Sequence, residues 1–369
     1  MLRPAALSDA SADAMTGVEL DSGRTRAAGD LLTRYPFALW SYGESVGLEG
    51  LLAASSLLAD PGYAGFAHGL LKGWSARATP YRAMENTIAG HALCEVFEHT
   101  GDAALVEAGR RAVDNLSARR RIGGVFAAFE ESPLDAPYGG ARLPADEAAL
   151  LAHPGAGVFV DCMHFDPPFF VHFGALTGDA ALLDLGIDQA LGHVDLLQDP
   201  SGLFWHFWLE RTERRYGLGW GRGQGWALLG LLDVLEQAPA EHGGRPRVLE
   251  AFVRLSEALR ATQMPDGSWP AVAHDAQSGS ESSTAAFAAA GFARGVRLGL
   301  LDASFAEPAR RAWARVVANV DADGLLVDVS AAVRPSTHES SYRHVPKGFL
   351  VPWGQGSLLV AAQAMSELG

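Results

Sequence analysis

Helical periodicity is the feature that most constrains the fold of this chain. Apolar residues recur at the spacing of one helix face in many windows, which are rich in the helix formers Ala, Leu and Glu. These windows include 44–58, 86–99, 103–118, 180–197, 224–237, 247–262, 283–299, 305–319 and 355–367. Strand-like alternation is limited to 124–128, 203–207 and 325–329. We therefore expect a helical body with short hairpins in its loops.

A short repeat indicates how the helices are connected. The string TGDAAL occurs at 100–105 and again at 177–182, each time between two helical windows. Glycine can end one helix and aspartate can cap the next, and a similar turn is predicted at 298–302. About eleven or twelve helices, joined alternately by tight turns and long loops, predict an all-α toroid with an inner and an outer ring; an α-solenoid is the alternative.

Composition and charge narrow the function classes. With 48% hydrophobic and 20% charged residues, the 369-residue chain is typical of a globular protein, and we predict one domain over 1–369 with 1–20 as a poorly ordered extension. A formal charge of −14 without a long basic cluster argues against a nucleic-acid partner. The sequence contains no apolar run that would predict a membrane span or a secretory signal. Two cysteines do not make a disulfide scaffold and fit a reducing compartment, so we predict a cytoplasmic protein. We expect it to be a monomer or a homodimer.

Two loop segments hold an unusual concentration of aromatic residues. The strings GLFWHFW at 202–208 and GWGRGQGW at 219–226 contain four Trp together with His206 and Arg222. A sugar presents apolar C–H faces and a rim of hydroxyls, so its pocket needs flat aromatic walls and fixed donors. The alternative for any single Trp is packing between the helix rings. As a cluster with Arg222, the segments favour a sugar site.

Two carboxylates are candidates for acid/base chemistry. Asp161 lies in an apolar run at 158–170, where a carboxyl is costly to ionise and can act as a general acid. It can equally cap a helix that starts near Met163. Glu85, in YRAMENTIAGH at 81–91, is either a second acid or a first-turn residue stabilised by the helix dipole. His164 lacks metal-ligand spacing to its neighbours, and nucleotide motifs are absent, so we predict no metal and no cofactor.

These motifs resemble those of the unsaturated glucuronyl and rhamnogalacturonyl hydrolases, glycoside hydrolase families 88 and 105. The string WGRGQGW at 220–226 is similar to the families' WGRGNGW, and VDCM at 160–163 is similar to their VDDM. The resemblance covers roughly 40–364. It implies an (α/α)6 barrel and a hydration reaction, in which water adds to a terminal 4,5-unsaturated uronic acid that a polysaccharide lyase has left on an oligosaccharide.

The resemblance also implies roles for individual residues. Asp161 would be the general acid/base, and Glu85 takes the place of a second family acid, with a longer side chain. Either Arg222 or Lys347 would meet the substrate carboxylate. The residues that would line the sugar pocket are Trp40, His206, Trp220, Arg222, Trp226 and Lys347.

Two other functions remain open from the sequence. A conventional inverting glycosidase would use Asp161 and a second carboxylate such as Glu85, about 6.5–9.5 Å apart. A sugar-binding protein would use the aromatic loops without turnover. The segment 331–346 departs from the family pattern and carries two His among its basic residues, which indicates a different substrate specificity.

Overall fold

The structure is a computed structural model, and it describes residues 19–39, 43–76, 88–130, 132–140 and 142–368. Thirteen α-helices make up most of this described part of the chain. None of them is long and apolar enough to cross a membrane. The single domain over 1–369 stays a prediction. Residues 1–18, which make up most of the predicted N-terminal extension, lie outside the described residues.

Six helices form a closed inner ring. They are α2 (Glu44–Leu58), α4 (Gly90–Thr100), α7 (Cys162–Thr177), α9 (Gly221–Gln237), α11 (Ser282–Arg297) and α13 (Pro352–Ser366). Each contacts the next in that order, and α13 packs against α2 to close the circle. The C-terminal halves of all six line one cavity, so the inner helices run in the same direction.

Six further helices form the outer ring, and each packs against one or two inner helices. They are α1 (Ser22–Thr33), α3 (Pro61–Ser75), α5 (Ala103–Ser117), α8 (Ala180–Leu197), α10 (Arg245–Thr262) and α12 (Ala306–Ala318). A short helix, α6 (Ala145–Ala152), lies in the long loop before α7. The alternation of inner and outer helices along the chain confirms the predicted (α/α)6 toroid.

The repeated turns have the predicted geometry. Gly101 and Gly178 end α4 and α7 with left-handed φ angles of 65° and 69°. Asp102 and Asp179 then accept hydrogen bonds from the backbone N–H two residues on, at 3.1 and 3.0 Å. The third turn differs in one respect: Asp302 caps a single 3-10 turn, Ala303–Phe305, and α12 follows directly.

The strands are shorter than the sequence predicts, and most of them lie outside the predicted segments. They are β1 (Arg121–Ile122), β2 (Val125–Phe126), β3 (Gly157–Phe159), β4 (Phe207–Leu209) and β5 (Arg214–Tyr216). β1 pairs with β2, and a second antiparallel sheet has the order β3-β4-β5.

Two of the three predicted strands are therefore misplaced. The amide of Gln224 bonds both the N–H and the C=O of Phe204, at 2.7 and 2.9 Å. The amide oxygen of Gln355 accepts from the N–H of Leu326 at 2.7 Å. Glutamine side chains from the inner helices thus bond backbone groups that a longer strand partner would otherwise bond. Phe204 and Leu326 each keep only an isolated bridge, to Gln198 and Val320, so a strand begins only at Phe207, and 325–329 forms no strand.

Glycine permits a very close helix crossing where the ring closes. A Cβ added at Gly356 of α13 would lie 2.2 Å from the carbonyl oxygen of Val46 in α2, and one at Gly50 would lie 2.6 Å from the Cα of Gly356. No side chain fits at such distances, so the two backbones can meet only through hydrogen atoms. The joint that closes the ring therefore depends on these two residues.

We expect Gly356→Ala to destabilise the protein because the new methyl group must push α13 away from α2. Overpacking of this kind costs about 1–3 kcal/mol. Gly69→Ala is the matched control, since a Cβ at this exposed position on α3 meets no atom within 4 Å and should stabilise the helix by roughly 0.5–1 kcal/mol. Denaturant unfolding of both variants measures the difference; equal stabilities would contradict the close crossing.

A buried histidine makes stability depend on pH. His193 of α8 is fully buried, and its Nδ1 lies 2.8 Å from the carbonyl oxygen of Gln189. Burial lowers the pKa of His193 to about 4. Its usual pKa in an unfolded chain is about 6.5, so between these values the unfolded chain binds a proton that the folded protein excludes. The folded state therefore loses stability as pH falls through this range.

We expect the free energy of unfolding to fall more steeply between pH 6.5 and 4.5 in wild type than in His193→Gln. The two slopes should differ by up to about 1.4 kcal/mol per pH unit. The comparison between variants is needed because burial raises the pKa of Glu95 to about 7, and that group acts in the opposite direction. Urea unfolding at several pH values gives the two slopes. Parallel slopes would show that His193 does not carry the effect.

Candidate active site

The candidate site lies at the N-terminal ends of the inner helices. β3 leads into α7, and its pairing with β4 sets Phe159 opposite Phe207. The next residues along the two strands are Val160 and His206, and the Val160 N–H donates to the His206 carbonyl at 2.9 Å. This register brings Asp161, the first residue after Val160, to the side chain of His206.

His206 is the centre of the group. It is buried, and its Nε2 lies 3.5 Å from Oδ2 of Asp161. Its Nδ1 lies 2.7 Å from the hydroxyl oxygen of Tyr342. The indole of Trp220 packs on the imidazole with 4.1 Å between ring centroids. The structure thus brings together three of the predicted residues, Asp161, His206 and Trp220, and adds a tyrosine.

Asp161 occupies the N-cap position of α7 but does not cap the helix. It has helical φ and ψ angles, and its side chain makes no capping hydrogen bond. Both carboxyl oxygens are buried and have no hydrogen-bond partner among the described residues. The capping interpretation is therefore wrong, and the carboxyl is available for chemistry.

Burial sets the protonation of the two groups beside Asp161. It lowers the pKa of His206, although the neighbouring Asp161 opposes the change, so the imidazole is neutral near pH 7. Burial also raises the pKa of Tyr342 well above its usual value, and the charges of Asp161 and Glu339 add to this effect. The phenol therefore keeps its proton.

Arg222 belongs to a hydrogen-bonded cluster at the start of α9, and its guanidinium also lies over the Trp220 ring, 5.1 Å from the ring centroid. It is fully buried and donates to Ser330 Oγ at 2.7 Å and to the Ala331 carbonyl at 2.8 Å. Glu281, which caps α11, lies 3.7 Å from the guanidinium and accepts from the N–H and hydroxyl of Ser330. The indole N–H of Trp353 donates to the Ser330 carbonyl at 2.9 Å. The side chains of Arg222, Glu281 and Trp353 thus stabilise the loop after α12, to which Ser330 belongs.

The remaining predicted residues lie apart from His206 or outside the described residues. Lys347 pairs with Asp328 at 2.7 Å and also donates to a backbone carbonyl. Trp226 is fully buried and packs against His164, with 5.1 Å between the ring centroids. Trp40 and Glu85 fall outside the described residues. The sugar contacts of these four residues stay predictions.

The segment 331–347 crosses this end of the barrel. Its two ends meet where the Ala331 N–H donates to the Pro346 carbonyl at 2.8 Å. Near its middle, the N–H of Thr337 donates to the buried Glu147 of α6 at 3.2 Å. Tyr342 extends from the segment to His206. The part of the sequence that departs from the family pattern thus lies over the predicted site.

The cavity lined by the inner helices opens at the opposite end of the barrel. Its volume is about 390 Å³, and charged residues from the C-terminal halves of the inner helices line it. Many of them are paired: Arg294 lies 2.7 Å from Asp233, and His172 lies 3.3 Å from Glu98. None of the predicted site residues that the structure describes lines this cavity, and its described lining lacks the aromatic walls that a sugar needs. We therefore assign the site to the other end.

Sequence reasoning missed the residues that support the site from a distance. Tyr342 and Ser330 belong to the last long loop, and Glu281 and Trp353 belong to the starts of α11 and α13. The signal that the sequence analysis gave for Tyr342 was the unusual 331–346 segment. Their contacts with His206 and Arg222 span 59 to 136 positions along the chain, and local patterns do not report such pairs.

Relatives of known activity resemble about half of the chain. The chain is 27% identical over 200 residues to the unsaturated rhamnogalacturonyl hydrolase YesR of Bacillus subtilis, and the match covers 52% of this chain and 54% of YesR. It is also 27% identical over 215 residues to an unsaturated 3S-rhamnoglycuronyl hydrolase of an Alteromonas species, covering 56% of this chain and 50% of the relative. The match thus spans about half the length of each of these two relatives.

Broader comparisons cover nearly the whole chain. A Salmonella enterica structure described as a possible member of glycoside hydrolase family 105 superposes with a TM-score of 0.75 at 19% identity, covering 99% of this chain and 98% of the other. This likeness shows the shared barrel fold. The family model described as Glycosyl Hydrolase Family 88 matches residues 24–368. The chain therefore belongs to glycosyl hydrolase family 88.

Proposed function

We propose that this protein is an unsaturated uronyl hydrolase. It releases a terminal 4,5-unsaturated uronic acid from lyase-generated oligosaccharides by hydrating the C4=C5 enol ether, and Asp161 is the general acid/base. The observation that carries the proposal is the Asp161 carboxyl, which is buried beside His206 and makes no hydrogen bond to any described residue. The related hydrolases, whose names record this class of substrate, support it.

The proposed chemistry needs one carboxyl in two states. Protonated Asp161 delivers its proton to C4, and positive charge develops on C5 and the ring oxygen. The Asp161 carboxylate then takes a proton from water as the water oxygen bonds to C5. This step restores protonated Asp161. The resulting hemiketal opens at the bond between C5 and the ring oxygen, which gives a C5 ketone and a hemiacetal at C1, and the hemiacetal then releases the neighbouring sugar as an alcohol and leaves an aldehyde at C1. A general acid within reach of the reacting atom typically raises the rate by roughly 10²–10⁴-fold.

Aromatic side chains hold the sugar ring in this proposal. Trp220, packed on His206 at 4.1 Å between centroids, offers an apolar face at the same end of the barrel as Asp161. The stacking role of Trp40 and Trp226 and the acid role of Glu85 stay predictions from the family resemblance. Arg222 and Lys347 are the candidates to meet the substrate carboxylate, and each would have to share its charge with Glu281 or Asp328.

We expect Asp161→Asn to lower kcat by about 10³-fold or more, because the amide can neither donate a proton to C4 nor accept one from water. The measurement is the loss of ultraviolet absorbance of the conjugated C4=C5 bond in lyase-generated disaccharides from pectin, ulvan and glycosaminoglycans. The matched control is Asp179→Asn, the same substitution at the N-cap of α8, which should keep wild-type activity. An Asp161→Asn protein with the wild-type rate would contradict the proposal.

Isotope labelling separates hydration from conventional inverting hydrolysis. In D₂O, hydration places deuterium on C4 of the released uronic acid, and water labelled with ¹⁸O places the label on C5. Direct displacement at the anomeric carbon leaves C4 unlabelled and puts ¹⁸O on C1. Mass spectrometry and NMR of the product therefore decide between the two reactions, and an ¹⁸O label at C1 would replace this proposal with the glycosidase alternative.

A further inference from the structure

Tyr342 contacts the side of His206 that faces away from Asp161. Its hydroxyl oxygen lies 2.7 Å from Nδ1, whereas the other ring nitrogen, Nε2, lies 3.5 Å from Oδ2 of Asp161. The tyrosine belongs to a 3-10 helix, Glu339–His344, within the segment that crosses the barrel. A phenol, an imidazole and a carboxyl thus form a continuous row that ends at the proposed general acid.

We propose that Tyr342 is a positioning residue that fixes the tautomer of His206, so that the imidazole carries its proton on Nε2 and presents a donor to Asp161. The inference rests on the proposed function, because it assigns His206 a role toward the proposed general acid/base. It adds a residue that none of the family-like motifs contains.

The tautomer follows from the donors and acceptors available. A neutral imidazole has one N–H donor and one acceptor nitrogen. The carboxylate form of Asp161 can only accept, so the nitrogen that faces it must carry the proton. Nδ1 of His206 is then an acceptor, and the hydroxyl of Tyr342 donates to it. Without that hydroxyl, the proton can move to Nδ1, and a lone pair would then face the carboxylate.

The backbone around Tyr342 leaves a niche for its hydroxyl group. A Cβ at Gly217 would lie 2.2 Å from that oxygen, and Gly217 has a left-handed φ of 68°. The carbonyl of Gly217 also accepts from the backbone N–H of His206 at 3.1 Å. One glycine therefore both holds the backbone of His206 and makes room for the group that bonds its ring.

The charges around the row are few. His206 faces Asp161, Tyr342 and the charge of Arg222, and Tyr342 also feels Glu339. The other contacts of the imidazole are the uncharged rings of Phe159, Phe207 and Trp220. Within the described chain, the tautomer of His206 thus depends mainly on the two groups that face its ring nitrogens, the Asp161 carboxyl and the Tyr342 hydroxyl.

The first test reads the tautomer directly and needs no substrate. Long-range ¹H–¹⁵N spectra of the histidine-labelled protein distinguish Nε2–H from Nδ1–H, and His206→Asn identifies the signal among the 12 histidines. We expect Nε2–H in wild type and a shift toward Nδ1–H in Tyr342→Phe. An Nδ1–H tautomer in wild type, or the same tautomer in both proteins, would overturn the inference.

The second test measures turnover of the unsaturated disaccharide that wild type accepts best. We expect Tyr342→Phe to lower kcat about tenfold, the effect of one lost hydrogen bond to a catalytic neighbour, while KM changes less than about twofold. The pH profile of kcat should also change, because loss of the phenol hydroxyl alters the hydrogen bonding of His206. A pure packing defect would move neither the profile nor the tautomer.

Tyr63→Phe is the matched control. Tyr63 is a buried tyrosine of the outer ring whose hydroxyl donates to Asp30 at the same distance, 2.7 Å, and its loss should leave kcat and the pH profile unchanged. If wild type hydrates no unsaturated uronic acid, the proposed function fails while the spectra still decide the tautomer. If wild type is active and Tyr342→Phe matches it in rate, profile and tautomer, only the role of Tyr342 fails.

Discussion

Closure of the inner helix ring is the constraint on which the rest of the structure depends. Six parallel helices must each contact two neighbours, and the crossing of α13 with α2 is only as wide as Gly50 and Gly356 permit. Closure brings the starts of α7, α9, α11 and α13 to one end of the barrel. Residues separated by more than a hundred positions, such as His206 and Tyr342, then become neighbours. The site is therefore a product of ring closure as much as of any motif.

The two polar groups at this end of the barrel differ in how well they are satisfied. Arg222, Glu281 and Ser330 bond to one another and to backbone groups, as buried structural networks in proteins generally do. Asp161 is equally buried but makes no hydrogen bond to a described residue. Burying a carboxyl in this way costs stability, and an aspartate that capped α7 would avoid the cost. The contrast separates a cluster that supports the fold from a group held ready for chemistry.

How much the sequence predicted depends on the range of the interaction. The TGDAAL turns are local, because Gly101 and Asp102 act within one helix turn, and they came out as predicted. The family-like motifs identified Asp161, His206 and Trp220 in the sequence. These three residues also lie together in the structure, since β3–β4 pairing brings their segments together. The partners of Arg222 and Lys347 were not foreseen, because Ser330 and Asp328 lie in a loop whose path depends on the closed ring. The misplaced strand at 203–207 has the same cause, a glutamine reaching in from another helix.

The direction of the inner helices bears on how an acidic chain would hold an anionic sugar. Each helix N-terminus carries roughly half a positive charge from its aligned peptide dipoles, and six such ends converge where Asp161 lies. The C-terminal ends converge on the opposite cavity, where Arg294 is paired with Asp233. Surface charges are screened beyond a Debye length of about 10 Å, so the formal charge of −14 acts weakly inside the barrel. Under the proposed function, the backbone itself supplies part of the attraction for a uronate, which is consistent with a site whose predicted cations, Arg222 and Lys347, already bond to the protein.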